Sequence, residues 1–221
     1  MKILTIDTSS EVCSVALLED DKLIDKNELD NGKTHSETLM VLIDELLKRN
    51  NVDIKDINLF GCDVGPGSFT GIRIGVSTIK AMAEVLNVKI ASVTSLEVLA
   101  RNVQDRKIIA SIIDARNDQV YLGIFDENYK KMEDYLADDI HVAIEHLKKY
   151  ENVTFVGNGA INFKELIKEN VKGAEFIENN KQSAEMLGYL TYKKHLENDL
   201  EDADTILPIY LRKSQAERLK K

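Results

Sequence analysis

The sequence predicts an α/β protein of two lobes, each built in the order β-β-β-α-β-α. Two observations carry that prediction. The hydrophobic periodicity of the first hundred residues starts over after about residue 105, and an Asp closes the first strand of each half, Asp7 and Asp114. A third, the run from Asp63 through Val64-Gly65-Pro66-Gly67-Ser68-Phe69-Thr70-Gly71-Ile72-Arg73-Ile74 to Gly75, joins a strand end, a glycine-rich turn and a helix start in one segment. The expected lobes are residues 1–104 and 105–221.

In the first lobe, strands are expected near 2–7, 12–18 and 22–29. A helix near 35–50 follows, opened by Thr34 and Glu37 at capping-box spacing. A strand near 57–63 then enters the glycine turn, where Pro66 fixes one φ and Ser68 or Thr70 caps a helix near 70–86. The second lobe repeats this. Lys107 to Asp114 matches the opening strand, Val120 to Phe125 the second, and Tyr129 to Leu136 is the expected third. A helix near 139–149, a strand from Val153 into the turn Gly157-Asn158-Gly159, a helix from about 161 and a longer one near 181–198 complete it.

Composition narrows the function classes. With 221 residues, 43% of them hydrophobic, the chain can build one large domain or two small cores. A formal charge of -9 argues against charge-driven nucleic-acid binding by this chain alone and leaves a basic partner open. Cys13 and Cys62 have no metal or disulfide spacing, and no stretch approaches the length of a membrane span. A cytoplasmic protein without membrane contact is expected.

The glycine run fits none of three familiar motifs. A P-loop needs Lys and then Ser or Thr after its last Gly, where Ile72 and Arg73 stand. The dinucleotide fingerprint needs Gly three positions after its second, and Gly67 to Gly71 is four. A nucleophile elbow needs glycines where Pro66 and Thr70 flank Ser68. What the first lobe offers is apolar surface. The first helix carries Leu39, Met40, Ile43 and Leu47, an arc wider than a single sheet requires. The second carries Gly71, Ile72, Gly75, Ile79 and Met82, with Gly67, Gly71 and Gly75 four apart on one face. These nine residues are the expected partner-binding set, and a side chain added at Gly75 is expected to point outward. The other reading is a helix sandwiched within its own domain.

The duplication resembles the actin-like ATPase (sugar kinase/Hsp70/actin) superfamily. There, acidic hairpins of the two lobes hold a nucleotide's phosphates, and Asp7 and Asp114 stand at the corresponding positions, with Gly157 and Gly159 as a remnant adenosine turn. The resemblance implies a vestigial nucleotide site at these four residues; the alternative function is a small-molecule kinase or ATPase. Against that, Asp114-Ala115-Arg116-Asn117 lacks the glycines that let a phosphate approach the backbone, so no cofactor is expected.

A narrower resemblance spans nearly the whole chain. Ile6-Asp7-Thr8-Ser9, His35-Ser36-Glu37, the run from Gly65 to Gly75, Thr94-Ser95-Leu96, Asp114-Ala115-Arg116 with Val120-Tyr121, and Pro208-Ile209-Tyr210-Leu211-Arg212 together are similar to the bacterial TsaB family, formerly YeaZ. That resemblance implies a non-catalytic scaffold and activator of the related enzyme TsaD. TsaD transfers threonylcarbamoyl to N6 of adenosine 37 in tRNAs reading ANN codons, with the ATPase TsaE completing the assembly. It implies that the two apolar helices pack against TsaD or against a second copy, so a homodimer is expected of the isolated protein. TsaD carries two histidines four apart on a helix to hold a metal; here His35 is followed four positions on by Leu39, and His141, His146 and His195 form no ligand set. No metal site and no catalytic residue are expected. The basic end, Arg212-Lys213 and Arg218-Leu219-Lys220-Lys221, is read as a solvated terminus or as a contact with a partner.

Overall fold

The computed structural model describes residues 1–30 and 32–212. The basic end beyond Arg212 therefore lies outside the described residues. In chain order the first elements are β1 (Lys2–Asp7), β2 (Cys13–Glu19), β3 (Lys22–Leu29), α1 (His35–Arg49), β4 (Leu59–Asp63), α2 (Phe69–Leu86), β5 (Lys89–Val93) and α3 (Ser95–Ala100). Then come β6 (Ile108–Asp114), β7 (Gln119–Asp126), β8 (Leu136–Asp139), α4 (Ile140–Leu147), β9 (Val153–Val156), α5 (Asn158–Asn162), α6 (Lys164–Asn170), β10 (Glu175–Phe176) and α7 (Ala184–Leu196).

Two five-stranded sheets form, ordered β3-β2-β1-β4-β5 and β8-β7-β6-β9-β10. In each, the three leading strands are antiparallel neighbours, while the fourth runs parallel to the first and the fifth parallel to the fourth. The repeat is thus one strand longer than the sequence indicates. Strands β5 and β10 are edge strands of five and two residues, too short to register as periodic segments.

The chain divides into two compact units, Met1–Val98 with Gln182–Ile209, and Leu99–Lys181 joined by the described residues 210–212. Helix α7 comes after the second sheet in sequence but packs on the first, which the expected boundary at 104/105 does not capture. Its start is fixed from the sheet: the Thr5 hydroxyl donates to the Ala184 carbonyl at 2.6 Å, and the Ala184 N–H donates to Ser14 Oγ at 3.1 Å. Ala184 shares a small core with Ile3, Ala16, Leu18 and Leu59. The opposite face of the same sheet buries Leu4, Ile6, Val15, Phe60 and Cys62 beneath α1 and α2. Alternation along β1, with Ile3 on one face and Leu4 on the other, is what lets one strand feed both cores.

The helix starts follow their sequence signals. Glu37 accepts from the Thr34 backbone N–H at 3.1 Å, and Ser68 Oγ accepts from the Gly71 N–H at 3.2 Å. Helix α2 stops at Asn87, whose φ of 53° ends it in the left-handed conformation. In the second unit, the third strand is not at 129–136 as expected. The Asp126 carboxylate accepts from the Asn128 and Lys130 N–H groups, which folds these residues into a turn, and β8 pairs only later, Leu136 with Leu122 and Asp139 with Gln119. The core of this unit gathers Ala110, Ile112, Leu122, Ile144, Phe155 and Ile167.

Candidate docking face and buried acidic pair

Helices α1 and α2 cover one face of the first sheet, and their outward sides hold the candidate interface. Of the nine residues expected there, Leu39, Ile43, Leu47, Ile72 and Ile79 belong to the core of this unit. Met40 does face outward, with 55% of its surface exposed, and Met82 is half-buried. Two further apolar residues lie fully outside: Val41 at 52% and Val85 at 83%. Ile74 is half-buried, and Ser77 and Ala81 are exposed between them along α2. The outward side of α2 is therefore small and mostly uncharged. Periodicity alone does not separate Val85 from the core positions, because α2 is apolar over much of its circumference.

The glycines turn the other way. A methyl group at Gly67 would overlap the Ser9 carbonyl, one at Gly71 the Thr8 carbonyl, and one at Gly75 the Thr8 hydroxyl. This corrects the expectation that a Gly75 side chain points outward; for the glycine stripe, the reading of a helix sandwiched within its own domain is the correct one. The stripe lets α2 settle on the β1–β2 connection, where Thr8 Oγ1 donates to the Gly71 carbonyl at 2.7 Å and the Ser68 N–H donates to the Ser9 carbonyl at 2.7 Å.

Beneath that seat lies an acidic pair. Asp7 ends β1 and Asp63 ends β4; they are 0% and 1% exposed, one residue beyond the paired Ile6 and Cys62 of these parallel strands. Asp7 Oδ1 accepts from the Ser9 N–H at 2.9 Å and the Ser9 hydroxyl at 2.7 Å. Asp63 Oδ1 accepts from the Gly65 N–H and the Ser95 hydroxyl, both at 2.7 Å. Both Oδ2 atoms are buried without a hydrogen-bond partner among the described residues, and so is His35 Nδ1, whose ring meets the Ser10 carbonyl through Nε2 at 2.8 Å. Burial pushes Asp7 above the ordinary carboxylate range, against the bonds from Ser9. Burial, and then the charge of Asp7, pushes Asp63 well above it. The neighbouring thiols Cys13 and Cys62 are raised by burial as well, Cys62 strongly, which keeps both inert. Sequence reasoning singled out Asp7 but not Asp63; the available signal was an Asp closing each of two strands that the fold lays side by side.

In the second unit, Asp114 is more open and fully engaged. Its Oδ1 accepts from the Arg116 N–H at 2.7 Å and its Oδ2 from the Asn162 amide at 2.7 Å. Arg116, Asn117 and Asp118 all have φ between 54° and 65°. Gly157 and Gly159 face their own sheet: a methyl at Gly157 would overlap the Ile112 carbonyl, and one at Gly159 would lie 2.6 Å from Ile112 Cγ2 and 2.9 Å from the Asp114 nitrogen. Among the described residues no three His, Cys, Asp or Glu side chains are grouped to hold a metal ion. No described helix is long and apolar enough to cross a membrane.

Comparison with known proteins gives a consistent result. The family model described as TsaD, tRNA N6-adenosine threonylcarbamoyltransferase, matches residues 30–220. The tRNA threonylcarbamoyladenosine biosynthesis protein TsaB of Bacillus subtilis (strain 168) is 33% identical over 226 residues, covering 98% of this chain and 96% of the relative. The structure of YeaZ from Pseudomonas aeruginosa superposes with a TM-score of 0.81 at 24% identity, over 95% of this chain and 99% of that one. Component A of the (R)-2-hydroxyglutaryl-CoA dehydratase of Acidaminococcus fermentans shares the fold alone, with a TM-score of 0.52 at 12% identity over 89% and 99% of the two chains. The fold, two five-stranded mixed sheets with helices, is the one these structures share.

Proposed function

The chain belongs to the TsaB (YeaZ) family of tRNA threonylcarbamoyladenosine biosynthesis proteins, and from that premise we propose that it is a non-catalytic scaffold and activator of a TsaD-type transferase. The reaction served is threonylcarbamoyl transfer to N6 of adenosine 37 in tRNAs reading ANN codons. A TsaE-type ATPase completes the assembly, tRNA is met only through the complex, and the same face pairs two copies when the partner is absent. The work takes place in the cytoplasm.

The observation that carries this reading is the outward side of α1 and α2. Met40, Val41 and Val85 stand in solvent with Ile74, Ala81 and Met82 alongside, on helices whose opposite sides already fill a core. Apolar side chains on two helices of one layer suit a facing pair of helices, and Met adapts its shape to such a contact. The non-catalytic assignment is supported by His35 having Leu39, not a second histidine, four positions on. The kinase alternative has less support, because Asp114 is occupied by Arg116 and Asn162 and both glycines of the second turn face their own sheet.

The test is a Met40→Asp and Val41→Asp double variant, titrated against the TsaD-type transferase. A buried charge in a well-packed contact weakens binding by about thirtyfold or more, while the thermal midpoint of the isolated chain stays within a few degrees. Unchanged affinity would place the interface elsewhere. Threonylcarbamoyl transfer by this protein alone, at the rate of the reconstituted system, would overturn the non-catalytic reading.

A further inference from the structure

We propose that Asp7 and Asp63 hold a single proton between them, and that this proton-sharing pair is a latch on the turns that seat α2, released when the proton is lost. The pair itself rests on geometry; only its consequence for docking rests on the function proposed above.

The donor inventory leads to the proton. Among the described residues four hydrogen bonds to the two carboxyls, from the N–H and hydroxyl of Ser9, the N–H of Gly65 and the hydroxyl of Ser95, are all accepted by Oδ1 atoms, and the Ser9 side chain also approaches Asp63. Asp7 and Asp63 stand side by side one residue beyond the paired Ile6 and Cys62, within hydrogen-bond reach of one another, and each Oδ2 is sealed from solvent with no donor among the described residues. Among the described residues, no Lys or Arg is among the groups that act on the pair. Helix α1 contributes His35, whose charge favours the Asp7 carboxylate, β2 contributes Cys13, and β4 contributes Cys62. On α3 the near group is Ser95, and Glu97 is tied to Thr94. On α2 the first cation, Arg73, is exposed and stacks over Phe69. Two adjacent buried carboxylates repel, with His35 the weakest of the influences on Asp7, and one proton turns that repulsion into an O–H to O⁻ hydrogen bond that satisfies both Oδ2 atoms.

Release of the proton acts on what the other oxygens hold. Asp7 Oδ1 fixes the Thr8-Ser9 turn and Asp63 Oδ1 fixes Gly65. Those turns are the seat of α2: Ser9 and Thr8 carbonyls lie against Gly67 and Gly71, and the Ser68 N–H donates to Ser9. Like charges in the pair push these turns apart and lift the N-terminal end of one docking helix.

The sign follows from linkage. The folded pair binds its proton more tightly than an unfolded Asp, so its stabilisation is complete below the ordinary Asp range and is lost as pH rises through the folded pair's upper transition. The experiment compares thermal midpoints of the wild-type chain and Asp63→Asn between about pH 6 and pH 10. Asn keeps the shape and supplies a permanent N–H to Asp7. The wild type should lose about 3 °C per pH unit up to the pair's upper transition and level off above it, and the variant should lack that component. Parallel curves would overturn the latch. An infrared spectrum of the wild type alone guards against a variant that fails to fold: a protonated carboxyl C=O band should be present at neutral pH and fade at the alkaline end, and its absence at neutral pH would overturn the proposal. Transferase binding measured over the same range separates the two readings. Diverging midpoints with unchanged binding would keep the latch and overturn the α1/α2 docking face.

Discussion

The two units have the same strand order and handle the end of their first strand in opposite ways. In the first, Asp7 is sealed beside a second acid, Asp63, and a glycine stripe brings an 18-residue helix down onto the turn above it. In the second, Asp114 is partly open, its carboxylate is met by Arg116 and Asn162, and β9 leads from Val156 directly into Gly157 with no acid. The helical segment that follows is broken into pieces of five and seven residues. One topology therefore carries a buried, tightly seated layer in one copy and a self-satisfied polar turn in the other. Strand order is set by backbone pairing and hydrophobic alternation, whereas the chemistry at the strand ends is set by a few side chains that drift without disturbing the sheet.

The comparison breaks most sharply if α7 is removed. A chain ending at residue 181 loses the cover over Ile3, Ala16, Leu18 and Leu59, and exposing four such side chains costs on the order of 8 kcal/mol, comparable to the whole stability of a domain. The first unit should unfold while the second retains its structure, which amide exchange measured by residue would report. Both units folded would mean that α7 is dispensable.

Single glycines sharpen the difference next. Gly71→Ala drives a methyl into the Thr8 carbonyl, a backbone atom, and should cost about 3 kcal/mol in urea unfolding. Gly159→Ala meets Ile112 Cγ2 at 2.6 Å and the Asp114 nitrogen at 2.9 Å, milder overlaps than the 2.0 Å at Gly71, and should cost less, about 2 kcal/mol. The reverse order would mean that the seat of α2 is the more compliant of the two.

A smaller effect belongs to the second unit's surface. The Tyr150 phenol donates to Glu133, which also pairs with Lys149, and burial first, then Glu133, pushes the phenol up to about 12. Tyr150→Phe should cost about 1 kcal/mol. Because the folded phenol gives up its proton late, its stabilisation is intact below the ordinary tyrosine range and fades as pH climbs towards 12. Ultraviolet titration of tyrosinate should lose its latest-ionising component in the variant. Smallest of all, Met40→Asp should move the stability of the isolated chain by no more than about 0.5 kcal/mol, since Met40 is 55% exposed. A larger loss would show Met40 to be part of the core.

By itself the sequence determined what depends on neighbours in the chain. The capping pair Thr34 and Glu37, the glycine turn before α2, the duplicated strands, and the family motifs from Ile6 to Arg212 were all readable, because periodicity and turn chemistry are local properties. What only the tertiary structure decided depends on residues far apart. Helix α7 crosses back to the first sheet because Thr5 and Ser14, some 170 residues earlier, hold its first turn. The glycines of α2 face inward because the β1–β2 connection lies beneath them, so Met40, Val41 and Val85 are left to face solvent. Asp63 has a meaning only beside Asp7, and no pattern along a chain shows that two strand ends separated by 56 positions will be buried against each other. A one-dimensional period fixes which face of an element is apolar; which element covers that face, and which polar groups are trapped there without water, is settled by the packing.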